Sequence, residues 1–201
     1  MIRTSRPVAA ASSLAMLLTL FVLATAPAQA QITKPFKIFG AGVGPEGLPL
    51  PGQPARPHWV VGVATHLGLH YGEGSVQTDW AAPQPDGSIA GEFGSGEPFV
   101  FRGANRDRLV CHYGRTDFGA SAPGTVELTV LAVLEDGSLV VEALWIAEFV
   151  PVSTACTGKF AGVTGSWIMY AHSEPFVLGS DDPVGYWWEG NGSLTFPKKK
   201  N

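Results

Sequence analysis

The chain has 201 residues, 45% hydrophobic and 15% charged, with 25 glycines and 16 prolines. That is room for one ordinary domain with a sizeable core, and the composition excludes a disordered chain, which would pair low hydrophobicity with high net charge. The formal net charge of −4 leaves no basic stripe to neutralise a phosphate backbone, so nucleic acid is not an expected partner.

Arg3 and Arg6 open the chain, and residues 8–26 are almost wholly apolar. Ala28-Gln29-Ala30 follows, the small-x-small form that signal peptidase reads. A signal peptide is therefore expected over residues 1–30, with the mature chain beginning at Gln31 and residing outside the cytoplasm, secreted or periplasmic. A retained membrane anchor is the competing reading, because the run is about long enough to span a bilayer. The cleavage site directly after it favours removal, and no later stretch is long and apolar enough to cross as a helix.

Residues 31–57 hold six prolines and five glycines and are expected to form an irregular arm, since proline denies both helix interior and central strand. Gly40-Ala41-Gly42-Val43-Gly44 has the look of a phosphate loop but opens no helix pattern. From residue 58 to residue 197 the pattern has period two. Strands are expected over residues 58–71, 74–80, 88–93, 97–102, 108–118, 125–134, 139–150, 163–172 and 186–196, separated by turn residues such as Pro85-Asp86-Gly87 and Asp136-Gly137. Residues 198–201 are a basic tail. Short turns imply antiparallel neighbours, and a sheet this wide is stable when closed. The expected fold class is all-β, an antiparallel barrel of roughly eight strands behind the Pro/Gly-rich N-terminal arm.

Cys111 and Cys156 are the only cysteines. In an exported chain two cysteines usually pair, and a disulfide between them is expected; buried free thiols and a metal site are the alternatives. A metal site lacks any close Cys or His spacing, so no metal and no cofactor are expected.

Thr157-Gly158-Lys159-Phe160-Ala161-Gly162-Val163-Thr164-Gly165-Ser166 resembles the glycine-rich turn of the allene oxide cyclase and dirigent barrels, which are of the calycin-like type. Ala64-Thr65-His66-Leu67-Gly68 with Gly72-Glu73-Gly74, and Asn105-Arg106-Asp107-Arg108, resemble segments of secreted bacterial proteins of unknown function. The resemblance runs over residues 58–196 and implies an eight-stranded barrel, often trimeric, with the glycine-rich turn between two late strands. Where that pattern has a glycine pair this chain has Ala155-Cys156, which fits a pairing with Cys111. The pocket residues of those plant families have no match here, so the resemblance implies the fold rather than an activity.

Candidate chemistry is sparse. His66 and His70, four apart on one continuous strand, would stand about 13 Å apart and could not share a metal ion; a site that included His112 would draw on another strand. His66 reads as a hydrogen bonder near a strand end and His70 as facing water. His66 and Glu73 are the candidate catalytic residues, both within the resembling motif. Glu73, Glu92 and Glu97 could supply paired carboxylates, but no spacing joins any two. Gly165-Ser166-Trp167 lacks the second glycine of a nucleophile elbow. Asn191-Gly192-Ser193 reads as a turn. The late-strand aromatics Trp145, Phe149, Trp167 and Tyr170 are the candidate ligand-pocket residues, and in a barrel this size inward aromatics either fill the core or line a small apolar pocket. Trp187 and Trp188 fall on opposite faces.

Three function classes follow: a non-catalytic binding or structural barrel with a hydrophobic small molecule as possible ligand; a cyclase or isomerase acting on such a molecule; and a small outer-membrane barrel. The missing catalytic constellation favours the first over an enzyme, without deciding between them. Residues 139–150 are apolar on both faces, and the face carrying Val140, Leu144 and Ile146 needs a cover, either the N-terminal arm or another subunit. The trimeric habit implied by the resemblance favours a homo-oligomer.

Overall fold

The computed structural model describes residues 31–50 and 52–198. The expected signal peptide and residues 199–201 of the basic tail lie outside the described residues. The chain is all-β, with β1 (Gln31–Gly44), β2 (Arg56–Ala64), β3 (Gly68–Pro83), β4 (Ile89–Gly94), β5 (Phe99–Gly103), β6 (Arg108–Tyr113), β7 (Gly124–Val133), β8 (Leu139–Pro151), β9 (Thr164–Ser173), β10 (Phe176–Val177) and β11 (Val184–Pro197). Every pairing is antiparallel. The order β2-β1-β11-β9-β8-β6-β5-β3 closes on itself through the β2–β3 ladder, giving the expected eight-stranded barrel.

One part of the wall is forked. Along one edge of β3, residues 70–73 pair with β5 and residues 77–83 with β4. Likewise β8 pairs with β7 over residues 139–146 and with β6 over residues 149–151. Because β4 also pairs with β7, the gap between β3 and β8 is bridged twice, by β5–β6 towards one end and by β4–β7 towards the other. Two turns of the same chemistry sit at the β4–β7 rim. In each, an Asp side chain accepts the backbone N–H two residues on, Asp86 from Ser88 and Asp136 from Ser138, and the intervening Gly87 or Gly137 takes a positive φ.

The barrel departs from expectation at its N-terminus. Residues 31–44 are not an irregular arm but a wall strand, paired with β11 along their full length. Proline is tolerated there for a geometric reason. Lys37 directs both its N–H and its C=O to the Thr65 hydroxyl and amide on the β2 side, so Pro35, two residues away, points its ring nitrogen the same way. The β1–β2 ladder begins only at Ile38, and no strand partner is missed. The irregular part is confined to the connection between β1 and β2.

The first two expected strands also divide differently. The turn comes at residues 65–67, with His66 at φ 69° and Gly68 at φ 74°, so β3 starts earlier than the pattern suggested and His70 falls on the inner face. Residues 191–193, read as a turn, lie within β11, where a Cβ on Gly192 would strike the Ser166 carbonyl and Trp167.

The expected disulfide is absent: Cys111 and Cys156 are both free and buried. The Cys156 thiol lies along the edge of β6 and engages the backbone of Val110, accepting its N–H at 3.3 Å and donating to its C=O at 3.5 Å. Val152 and Thr157 bond the same edge, to the carbonyls of Val110 and Arg108. The Cys156 sulfur therefore completes a strand edge that β8 has left, while Cys111 stands in the hydrophobic core. Burial pushes both thiols above their ordinary pKa, Cys111 the further.

Candidate functional site

Inward residues fill most of the barrel. Phe99, Phe101, Trp167 and Trp188 form its middle, and Phe149 stacks between Tyr113 (4.9 Å) and Trp167 (5.2 Å). Glycines make the room: a Cβ on Gly72 or Gly74 of β3 would lie within 2.6 Å or 2.3 Å of the Phe99 ring. Toward the end where β1 finishes and β11 begins, the filling stops short. A cavity of ≈ 60 Å³ remains there, within a depression of ≈ 530 Å³ counted out to its open mouth. Val76, Phe93, Trp145, Phe149, Met169 and Val184 give it apolar walls, and Leu48 from the β1–β2 connection closes one side. That connection is tied down by Gln53, whose side-chain oxygen accepts from the Leu50 amide and from Arg56, while Arg56 pairs with Asp181 at 3.0 Å.

Three polar side chains meet at this wall: His58 of β2, Tyr113 of β6 and Tyr186 of β11. His58 Nδ1 lies 2.8 Å from the Tyr186 hydroxyl and Nε2 lies 3.2 Å from that of Tyr113. Donor counting fixes the direction of the chain. Tyr113 spends its one hydroxyl proton on the Ser75 carbonyl, so it accepts from His58, and Nε2 carries the N–H. A neutral imidazole then has a bare Nδ1, which accepts the proton of Tyr186. The order is Tyr186 O–H to Nδ1, Nε2–H to Tyr113 O, Tyr113 O–H to Ser75 C=O.

His58 is neutral because its ring is enclosed by Phe99, Tyr113 and Tyr186 at 5.0–6.2 Å; burial lowers its pKa from 6.5 to about 4. Burial likewise pushes both tyrosines well above their ordinary range, with mutual proximity adding to the shift at Tyr113. The wall is uncharged at neutral pH. Tyr186 owes its place to Gly42 on the neighbouring strand, where a Cβ would lie 2.2–2.5 Å from the Tyr186 ring and hydroxyl. With its proton committed to His58, the Tyr186 oxygen keeps lone pairs to offer at the cavity wall.

Of the residues singled out from sequence, Trp145 and Phe149 line this cavity. Trp167 is buried beneath Phe149 rather than in the lining. Tyr170 is 40% exposed on the outer surface; Trp167, Met169 and Ala171 take the inward positions of β9, and strict alternation sends Tyr170 out. His66 sits in the β2–β3 turn, edge-on to Phe196 at 5.4 Å. Glu73 is on the outer face, held by Arg102 at 2.7 Å and by the Tyr71 hydroxyl. The fold does not bring His66 and Glu73 together at the cavity. His70, expected to face water, is buried against Phe101 and Trp188, donating from Nδ1 to the Gly68 carbonyl at 3.3 Å. Among the described residues no group of three His, Cys, Asp or Glu could hold a metal ion.

Sequence reasoning missed His58, Tyr113 and Tyr186. Tyr113 and Tyr186 lie 55 and 128 positions after His58, the three are on three strands, and only barrel closure joins them. The one local signal was a polar ring at an inward position of an alternating strand. No protein-family model matches the chain, and no curated protein or solved structure matches it.

Proposed function

We propose that this chain is an exported binding barrel whose end cavity takes a small, neutral, hydrophobic molecule bearing one hydroxyl. The observation that carries the reading is the apolar cavity with a single directed polar chain at its wall. The apolar lining selects a hydrophobic body. Tyr186, its proton given to His58, offers an acceptor and so favours a ligand that donates. Among the described residues no cation lines the cavity to receive a carboxylate, and no carboxylate to receive an amine. Export rests on the signal-like residues 1–30. The likeness of residues 157–166 to the turn of allene oxide cyclase and dirigent barrels fits the same picture, since that segment joins β8 to β9.

The test is calorimetric titration with cyclohexanol, methoxycyclohexane and cyclohexanecarboxylate, backed by Trp145 emission with Trp145→Phe as control. Cyclohexanol is expected to bind more tightly than the ether, and the carboxylate not to bind. Tyr186→Phe should erase the preference for the alcohol while leaving the ether's affinity unchanged. No saturable binding of any probe, or tightest binding of the carboxylate, overturns the reading.

A second reading, a cyclase or isomerase, draws on the hydroxyl–imidazole–hydroxyl chain, which has the connectivity of a proton relay. Burial favours the neutral form of all three groups, which weighs against acid–base turnover at neutral pH and places binding first. Deuterium uptake from D₂O into cyclohexanone, faster with the wild type than with His58→Gln, would reverse that order. An outer-membrane barrel is less well supported. Exposed apolar residues gather on β1, β2 and β3 and at the end of β7 (Leu131, Val133), but Thr125, Glu127 and Thr129 interrupt the outer face of β7, and β4, β5 and β6 have 6, 5 and 6 residues against the roughly 9–11 a membrane strand needs.

A further inference from the structure

The largest feature without a role is the outer face of β3, β2, β1 and β11. Register lines up Leu69, Val63 and Phe39 in one row and, in the next, Tyr71, Val61 and, across Ala41, Trp187. These six side chains are exposed, from 40% at Tyr71 to 65% at Leu69. Phe39, Tyr71, Trp187 and the neighbouring Trp59 are aromatic, about 150–250 Å² each when fully bared; about half-exposed, these four alone bare about 400 Å², and Leu69, Val61 and Val63 extend the face further. That already lies within the roughly 300–600 Å² of the largest patch on a typical monomer, the patch that is often functional. The face that sequence reasoning wanted covered, at Leu144 and Ile146 of β8, is half-buried and continues this one through His172 and Tyr170. The N-terminal segment does not cover either, because it forms part of the wall.

The charges on this face say what fits it. Lys37 points outward two positions before Phe39, and Glu189 sits opposite Phe39 on β11. Neither is in an ion pair among the described residues. One cation and one anion bordering an otherwise apolar sheet are complementary to the same surface turned by a two-fold axis. A membrane surface would instead call for clustered Lys and Arg, and here Arg102 is already neutralised by Glu73 at 2.7 Å.

We propose that the outer face of β1, β2 and β3 is the interface of a two-fold homodimer, the sheets of two copies packing face to face with Lys37 of one copy against Glu189 of the other. Sedimentation velocity of the full chain as its host produces it, at micromolar concentration, is expected to find a dimer. Val61→Glu, at the centre of the face, should weaken association about thirtyfold or more, with the far-ultraviolet circular dichroism unchanged. Leu69→Glu is the second variant if Val61→Glu does not fold. Lys37→Glu should also weaken the dimer, and the exchange Lys37→Glu with Glu189→Lys should restore it. A monomer throughout, an assembly other than a dimer, a dimer indifferent to Val61→Glu and Leu69→Glu, or one indifferent to Lys37→Glu overturns the proposal. So does flotation of the wild type, but not of Val61→Glu, with phosphatidylglycerol vesicles, which would give the face to a lipid surface.

Discussion

Replacing His58 by Gln should remove a definite part of the chain's sensitivity to acid. In the folded protein the His58 pKa is lowered from 6.5 to about 4 by burial. Above pH 6.5 the ring is neutral in both folded and unfolded chains and contributes no pH dependence. As pH falls from 6.5 to about 4, the unfolded chain takes up the proton and the folded chain does not, so stability is lost by up to about 1.4 kcal/mol per pH unit. The loss levels off below about 4, after a total of about 3 kcal/mol. Glutamine keeps a donor for Tyr113 and an acceptor for Tyr186 but does not titrate. His70 and His112 are lowered by burial too, yet they are common to both proteins and cancel in the difference. Urea unfolding of wild type and His58→Gln between pH 8 and pH 4 should give free-energy curves whose separation changes by about 3 kcal/mol across that window, the wild type losing more. Parallel curves, or an imidazole resonance of His58 titrating near 6.5, would refute the enclosed, neutral histidine on which the directed hydrogen-bond chain depends.

Tyr186→Phe should cost about 1–2 kcal/mol in chemical denaturation, because it strips the donor from the His58 Nδ1 without replacing it. Gly42→Ala should cost about 1–3 kcal/mol and disturb the Trp145 emission, since the new methyl occupies the place of the Tyr186 ring; a neutral effect would mean that Tyr186 has another seat. Trp167→Ala, which empties a fully buried site beneath Phe149, is expected to cost about 3–5 kcal/mol. Both cysteines should resist a thiol reagent in the native protein and both react in denaturant without reductant; protection that persists in denaturant would restore the disulfide.

What was legible in the sequence was whatever is written locally. Asp136-Gly137 declares its turn because the aspartate side chain and the glycine's positive φ act within four residues. The alternation of Val141, Ala143, Trp145, Ala147 and Phe149 declares the inner face of β8, and all five are buried. Three kinds of feature were not local. Pro35 argued against a strand until the neighbouring edge was known to be empty. The thiol of Cys156 found its partner in a backbone edge, which no count of cysteines can anticipate. The His58 chain needed β2, β6 and β11 to be curled toward one another, and its members carry no spacing to betray them. Tyr170 shows the opposite error: it lies three residues from Trp167, and a period of two cannot place both inside.

The forked wall has a consequence for how the barrel can yield. Either branch alone closes a ring of eight with the six shared strands, so one crossing is redundant for topology. The β4–β7 branch can therefore separate while the circuit through β5 and β6 stays whole, and it does so next to the cavity, to which it contributes Phe93. Amide exchange should be fastest across the β4–β7 ladder and slowest across β1–β11, the longest pairing in the chain. The β4–β7 ladder is thus a seam beside the cavity, and its parting would leave a closed ring of eight strands behind it.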